Sequence, residues 1–427
     1  MKSKKRPIRV AMIGIIHYPS DTRVRREIDT LRSYGVEVDV ICVRKEGQSR
    51  KEYVEGAQVY RMNLRRKRGS LLRYLWENLY FFIVAAFRLS LGSISKRYDV
   101  VHVHNMPDHI VFCALLPRLL GSKIILDLHD PTPEVFMTKY KVGEKHPAIR
   151  LLTMIEKLSI RFATHVLTPN IAFRNLFIKR DCPPSKISIV MNSPLERLFI
   201  TTPVEAEPNM DTFRVMYHGS IVKRHGLDLA LKALVLLRDK IPNLTFDVFG
   251  HGEYVEPFLE MVDELQLHDV VKYHGFVFHD HIPPAINKID VGIIPNRKSP
   301  FTDLNFPVRI FEYLALKKPV IVPDTMGIRD YFKEEEINFF VPGDVESLSN
   351  AILNVYQQPA HQKTILDRSL AVYSQHRWSE QGKRLAGIVH SLAGRPLVKT
   401  DSGKDDTSSD GTSSSSEKLS PPLISTR

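Results

Sequence analysis

Two stretches of the sequence combine glycine, cations and a carboxylate at spacings suited to a phosphorylated ligand. The first is Tyr217-His218-Gly219-Ser220-Ile221-Val222-Lys223-Arg224-His225-Gly226. Gly219 and Gly226 let backbone approach an anion, Lys223 and Arg224 supply charge, and the following helix supplies its dipole. A pyrophosphate fits there; the bland reading is a surface turn with solvated cations. The second stretch is Asp303-Leu304-Asn305-Phe306-Pro307-Val308-Arg309-Ile310-Phe311-Glu312-Tyr313. Pro307 suits a first helical turn. Arg309 in that turn opposes the helix dipole unless an anion is bound. Glu312, one turn on, can accept from two adjacent ribose hydroxyls; the bland reading is an amphipathic helix with an Arg309–Glu312 pair. Gly250 and the Gly275-Phe276 pair close two further strands, the latter placed to offer backbone groups to a base.

The N-terminal half carries a different chemistry. Val101-His102-Val103-His104-Asn105 and Ile124-Ile125-Leu126-Asp127-Leu128-His129-Asp130 each end a strand in polar residues. Strand alternation puts Asp127 and His129 on one face. Two such ends, both with histidine, read as the mouth of a cleft. No H-E-x-x-H or D-x-D arrangement is present, so no metal is expected. Gly14, at the end of the first strand, either faces that cleft or merely permits a turn. Asp21 caps the next helix, whose Arg23, Arg26 and Glu27 share a face by their spacing, read here as solvated.

The elements that must position these residues are strands alternating with helices. Strands are expected at Ile8–Ile15, Val36–Val43, Ala57–Met62, Val100–Val103, Ile124–Leu128, His165–Thr168 and Ile187–Val190. A Pro/Thr/Asn-rich linker over 197–212 follows. Strands then resume at Phe213–His218, Leu244–Gly250, Val270–Gly275, Val291–Pro295, Val320–Pro323 and Phe339–Val341. Two alternating blocks mean an α/β chain of two doubly wound, Rossmann-like domains, whose ligands sit at the carboxyl edge of each sheet. The domains are expected over 1–200 and 210–375, with a C-terminal helix over 376–393 packing back on the first domain. The Ser/Thr/Asp/Lys-rich stretch 394–427 cannot bury enough apolar surface to order itself.

Composition narrows the class. Of 427 residues, 43% are hydrophobic and 25% charged, which is ordinary globular protein. Cys42, Cys113 and Cys182 are widely spaced and fit neither a disulfide framework nor a metal motif, so a reducing, cytoplasmic setting is expected. Residues 1–200 carry 35 Lys+Arg against 18 Asp+Glu, and the remainder 25 against 30. The basic half is expected to meet an anionic surface. No nucleic-acid module accompanies it, and no nucleic-acid partner is expected. The missing G-x-G-x-x-G disfavours a dinucleotide dehydrogenase.

In these motifs the sequence resembles the retaining glycosyltransferases of family 4, which have the GT-B fold. The resemblance spans about residues 8–390. It rests on Asp21-Thr22-Arg23-Val24-Arg25-Arg26-Glu27, His104-Asn105-Met106-Pro107-Asp108, Leu126-Asp127 with His129-Asp130, His218-Gly219-Ser220 with Arg224 and Gly226-Leu227-Asp228, and Phe306–Tyr313. It implies a sugar leaving a nucleoside diphosphate with retained anomeric configuration, without metal or other cofactor. Arg224 would hold the diphosphate, Glu312 the ribose, and His129 would lie near the reacting carbon. Gly14, Gly219, Ser220, Lys223, Gly250, Gly275, Phe276, Asp303, Asn305, Phe306 and Arg309 complete the expected donor site. His104, Asn105 and Asp130 line the cleft. The sequence departs from the family at Ser220 and His225, where relatives carry cations, and at Leu304, where they carry glutamate; Asp303 is the expected substitute. That departure keeps a non-catalytic GT-B scaffold as the alternative.

The acceptor is expected to be a glycan or a lipid-linked molecule at the inner membrane face. Arg65, Arg66, Lys67 and Arg68 form a basic cluster suited to anionic lipid. The apolar stretch Leu71–Leu91 that follows is read as a core helix, not a membrane span, because charges interrupt it.

Overall fold

The computed structural model describes residues 6–64, 71–200 and 212–399. Strands form on the short apolar runs. In the first domain they are β1 (Ile8–Ile13), β2 (Val36–Val43), β3 (Lys51–Val54), β4 (Ala57–Met62), β5 (Val100–His104), β6 (Lys123–Asp127), β7 (His165–Thr168) and β8 (Ile187–Ile189). Their spatial order is β3-β4-β2-β1-β5-β6-β7-β8. All neighbours are parallel except β3 and β4. The second domain holds β9 (Phe213–His218), β10 (Leu244–Phe249), β11 (Val271–Gly275), β12 (Val291–Ile293), β13 (Val320–Pro323) and β14 (Asn338–Phe340). Their order is β11-β10-β9-β12-β13-β14, all parallel. Parallel strands covered on both faces must be apolar on both, which is why Val10–Ile13 and Val100–His104 are continuously buried. Strand order reverses beside β1, between β1 and β5, and beside β9, between β9 and β12. Those switch points open the crevices where ligands bind.

β3 was not expected. Glu55 and Gly56 both have positive φ (45° and 77°), and they turn Val54 back onto Ala57 as an antiparallel edge. The expected linker begins as helix Glu196–Ile200, because Phe199 is buried in the second domain's core. Residues 201–211, the basic cluster 65–68 and the tail beyond 399 lie outside the described residues.

Helix Trp378–Leu392 lies on the first domain. Leu385, Ala386 and Val389 join its core, and the Trp378 indole donates to Thr30 Oγ1 (2.9 Å). A Cβ on Gly382 would sit 2.9 Å from Thr30, so glycine lets the two helices approach.

The helix Leu71–Lys96 departs from expectation. Phe81, Ala85 and Leu89 are buried in the first domain's core as expected. Trp76, Leu79, Tyr80, Ile83, Phe87, Leu91 and Ile94 are exposed. By length and hydropathy (mean 1.4 over Trp76–Lys96) this helix could cross a membrane. Its buried face instead serves as the crossover between β4 and β5.

Candidate functional site

The ends of β9, β10 and β11 form a staircase of backbone. Gly219 N donates to Phe249 O (2.9 Å), and Gly250 N donates to Gly275 O (2.7 Å). Gly219 (φ 124°) and Gly250 (φ 147°) hold conformations that side chains disfavour. A Cβ on Gly250 would lie 1.8 Å from Gly219 O, and one on Gly226 would lie 2.0 Å from Pro295 O. The loop after β9 is therefore built tight, with Ser220, Lys223 and Arg224 exposed along it. His225 is half-buried, and its Nδ1 lies 2.7 Å from Ser220 O and 3.0 Å from the Tyr217 hydroxyl. Burial and the Arg309 charge push its imidazole down to about 3, so it props the loop as a neutral group.

Beside this staircase, Arg309 Nη1 donates to His218 O (2.7 Å), and its guanidinium lies 4.7 Å over the Tyr217 ring. Arg309 opens its helix; Pro307 precedes the helix by two residues and does not lie in its first turn. Glu312 is buried, with Oε1 2.9 Å from His279 Nε2 and Oε2 3.4 Å from His218 Nε2. Burial opposes its ionisation, but the His279 hydrogen bond and the His218 and Arg309 charges outweigh that and hold it down to about 2. An ionised acceptor thus waits in a cavity of about 100 Å³ between the domains. Thr22, Arg26 and Asn192 of the first domain line the same cavity.

The first domain contributes a buried polar cluster at its switch point. A Cβ on Gly14 would lie 3.2 Å from His104 Cβ, so Gly14 is the floor on which the cluster sits. Asp127 Oδ2 lies 2.9 Å from His129 Nε2, 3.2 Å from His102 Nε2 and 3.4 Å from His104 Nδ1. Glu27 Oε2 approaches His104 Nε2 (3.8 Å) and His102 Nδ1 (3.9 Å). Asn105 accepts from the His129 amide (3.0 Å) and donates to Asp130 O (2.7 Å). Burial opposes charge throughout. On Asp127 the three histidines prevail and hold it well below the usual range. On Glu27 burial prevails and pushes the carboxyl up. His104 falls to about 4 through burial and the charge of His102, and His129 falls through burial and the charge of Arg23. An ionised Asp127 must accept from His129 Nε2–H, which leaves Nδ1 as an acceptor without a partner among the described residues. Glu27, His102, His104 and Asp127 bring ligand atoms within 4.8 Å of one another, near enough to hold a metal ion.

Comparison with known proteins decides the family. Residues 20–193 match the glycosyl transferase 4-like domain, and residues 201–383 match glycosyl transferases group 1. The chain belongs to the group 1, family 4 glycosyltransferases. It is similar to the amylovoran biosynthesis glycosyltransferase AmsK of Erwinia amylovora, 22% identical over 48% of this chain and 53% of that one. The chain therefore spans about half the length of that relative. A chitobiosyldiphosphodolichol beta-mannosyltransferase of Debaryomyces hansenii is 22% identical over 66% of each chain. Among solved structures, sucrose-phosphate synthase of Thermosynechococcus elongatus superposes with a TM-score of 0.73 at 17% identity, covering 91% of this chain and 99% of that one. Anabaena HepE in complex with UDP superposes at 0.66 and 15% identity, covering 90% and 100%. These likenesses establish the GT-B fold.

Several expected site residues of this glycosyltransferase stand elsewhere. Phe306 is buried among Phe311, Tyr331 and Phe332 and belongs to the core, not the donor surface. Asp303 Oδ1 accepts from Met326 N (3.1 Å) and pairs with Lys298 (3.2 Å), so it is already committed. Leu304 packs against the first domain's core, and its carbonyl accepts from Asn170 Nδ2 (3.2 Å). Asn305 is half-buried, and its amide donates to Phe301 O (3.0 Å). Phe276 is exposed beside Phe278, their rings 5.3 Å apart. Arg26 and Glu27, read as solvated, are buried: Arg26 donates to Ser193 O and Asn192 Oδ1. His279, His218 and Glu27 were missed as site residues. For His218 and His279 the signal was a histidine at or shortly beyond a strand end; Glu27 lies mid-helix and gave none, because its partners lie far away in sequence.

Proposed function

We propose that the chain transfers a sugar from a nucleoside diphosphate sugar to a glycan or lipid-linked acceptor, with retention at the anomeric carbon, in polysaccharide or glycan synthesis at the cytoplasmic membrane face. The observation that carries this is the pairing of the β9–β10–β11 glycine staircase with an ionised, buried Glu312 facing the first domain. The loop that the staircase holds after β9, with Lys223 and Arg224, receives the diphosphate; Glu312 receives the ribose hydroxyls in exchange for its histidine contacts. His129 Nδ1 accepts from a hydroxyl of the donor sugar. As the glycosidic bond breaks, negative charge grows on the departing phosphate. Preorganised amides and Arg224 stabilise it without a metal ion, often the largest catalytic term. The departing phosphate then takes the proton of the acceptor hydroxyl attacking from the same face. The HepE complex with UDP and the dolichol-diphosphate name of the yeast relative support the donor and acceptor classes.

Calorimetric titration with UDP, GDP and ADP and their sugars tests the donor. One nucleotide should bind, and Arg224→Ala and Glu312→Gln should each weaken it by roughly tenfold or more, as expected for loss of a charged hydrogen bond. Unchanged affinity in both variants sinks the assignment. A second reading, a GT-B scaffold that binds nucleotide without turnover, is favoured by Leu304 and the committed Asp303. Binding without release of nucleoside diphosphate in the presence of acceptor glycolipids selects it.

A further inference from the structure

The exposed face of helix Leu71–Lys96 and the cavity at its flank share no residue with the site described above. At 3.6 residues per turn, Trp76, Leu79, Tyr80, Ile83, Phe87, Leu91 and Ile94 fall within about 120° of one another, opposite the buried Phe81, Ala85 and Leu89. Trp76 and Phe87 are each 66% exposed and Ile94 63%. A soluble surface rarely leaves so continuous an apolar stripe bare. The adjoining helix Leu115–Leu119 adds exposed Leu115 and Leu119.

A cavity of about 420 Å³ lies between this helix and the ends of β3 and β4. Tyr80 and Phe87 belong both to its wall and to the stripe. Arg50, Lys51 and Arg88 converge on it. Arg88 lies 4.2 Å over the Tyr60 ring and Lys51 5.9 Å from it, and none of the three has a carboxylate partner among the described residues. The fourth lining cation, Arg61, is spent on Glu52 (2.7 Å) and on backbone carbonyls. Unpaired cations beside an apolar stripe match one chemistry: a single phosphate joined to long hydrocarbon chains.

We infer that this cavity seats the phosphate of an anionic phospholipid while the Trp76–Ile94 stripe lies among its acyl chains, docking the first domain on a bilayer. The inference deepens the membrane part of the proposed function and is independent of its donor part. A protein partner or a second copy would also cover an apolar stripe. The unpaired cations at its edge favour lipid.

Co-sedimentation of the full chain with phosphatidylcholine vesicles, with and without phosphatidylglycerol, tests it. Binding should need phosphatidylglycerol. Arg50→Glu with Arg88→Gln should weaken binding to anionic vesicles by roughly tenfold or more, given the cations lost near the surface. Ile83→Ser with Phe87→Ser should weaken it as well, and unchanged melting temperatures show that both variants fold. Inorganic phosphate at matched ionic strength should release nothing; release identifies a free-phosphate site and overturns the lipid assignment. Equal binding of the cation variant, or equal binding to neutral vesicles, overturns it too. So does a wild-type dimer that the Ile83→Ser and Phe87→Ser changes make monomeric. Titration of the same variants with whichever of UDP, GDP and ADP the wild type binds should be unaffected, and a wild type that binds none of the three counts against the donor assignment alone.

Discussion

Replacing Gly250 with alanine isolates the donor staircase from the rest of the fold. The new Cβ would lie 1.8 Å from Gly219 O, where real contacts stay beyond 3.0 Å, so one of the two loops must retreat by 1.2 Å. That retreat breaks or stretches the Gly219 N–Phe249 O bond and moves the loop after β9 that is proposed to hold the diphosphate. The backbone itself adds strain of about 1–3 kcal/mol, because φ is 147°. Gly343→Ala is the matched control: φ is 90°, but nothing lies within 4 Å of the added Cβ. The control carries strain alone. In a domain of this size it should lower the melting temperature by roughly 2–4 °C per kcal/mol and leave UDP affinity unchanged. Gly250→Ala should melt lower still and bind UDP at least about tenfold more weakly, since a lost charge-assisted hydrogen bond costs about 1.5–3 kcal/mol. Scanning calorimetry and UDP titration read the two effects separately. If Gly250→Ala binds UDP as tightly as Gly343→Ala does, the staircase is not the phosphate seat.

Three other perturbations probe the first domain. Glu27→Ala removes a buried carboxyl whose contacts with His102 and His104 are long (3.9 and 3.8 Å); leaving those imidazoles facing an unfilled space should cost about 1–3 kcal/mol in a denaturant titration, with nucleotide affinity unchanged. Glu134 and Glu156 share Arg180, and burial pushes Glu156 up to about 8 from its usual 4.5. Its folded form keeps a proton that the unfolded chain releases, so its contribution is complete below pH 4.5 and is lost as pH rises to about 8; Glu156→Gln should flatten the melting temperature across that window, and an unaltered slope refutes the shift. Treatment with EDTA should change neither melting temperature nor transfer rate; a fall in either makes the Glu27–His102–His104–Asp127 cluster a metal centre.

How far such a site can be read from sequence depends on whether its parts are local. The parallel strands were legible because burial on both faces forces apolar runs, as in Val320–Pro323. β3 was not, because Lys51 and Glu52 open an exposed edge that needs no apolar run, and only the Glu55-Gly56 turn betrayed it. Gly219 and Gly250 were found because strand-end glycines have few other uses. Glu27 was misread because its helical neighbours are charged, whereas the residues that bury it, His102 and His104, arrive from β5. Phe306 was misread because an aromatic beside a candidate site is indistinguishable, one sequence at a time, from one packed behind it.

The Ser299–Asn305 loop shows what the leucine at 304 accomplishes. Phe301 and Leu304 both pack against the first domain's core, with the Phe301 ring 6.1 Å from Phe173. The Phe301 amide donates to Thr138 Oγ1 (3.1 Å), and Asn170 donates to Leu304 O (3.2 Å). A glutamate at 304 would carry its charge into this apolar contact, at a cost of several kcal/mol unless paired. In this chain the loop is thus a joint between domains, and a residue apolar enough to sit in the joint cannot also grip a sugar hydroxyl. Under the proposed function the sugar contact then falls to polar groups of the first domain that lack a partner. Among the described residues, His129 Nδ1 meets that condition and Asp303, already held by Lys298 and the Met326 amide, does not. Under the proposed function the donor sugar is therefore expected to meet the first domain's histidine cluster rather than the Ser299–Asn305 loop.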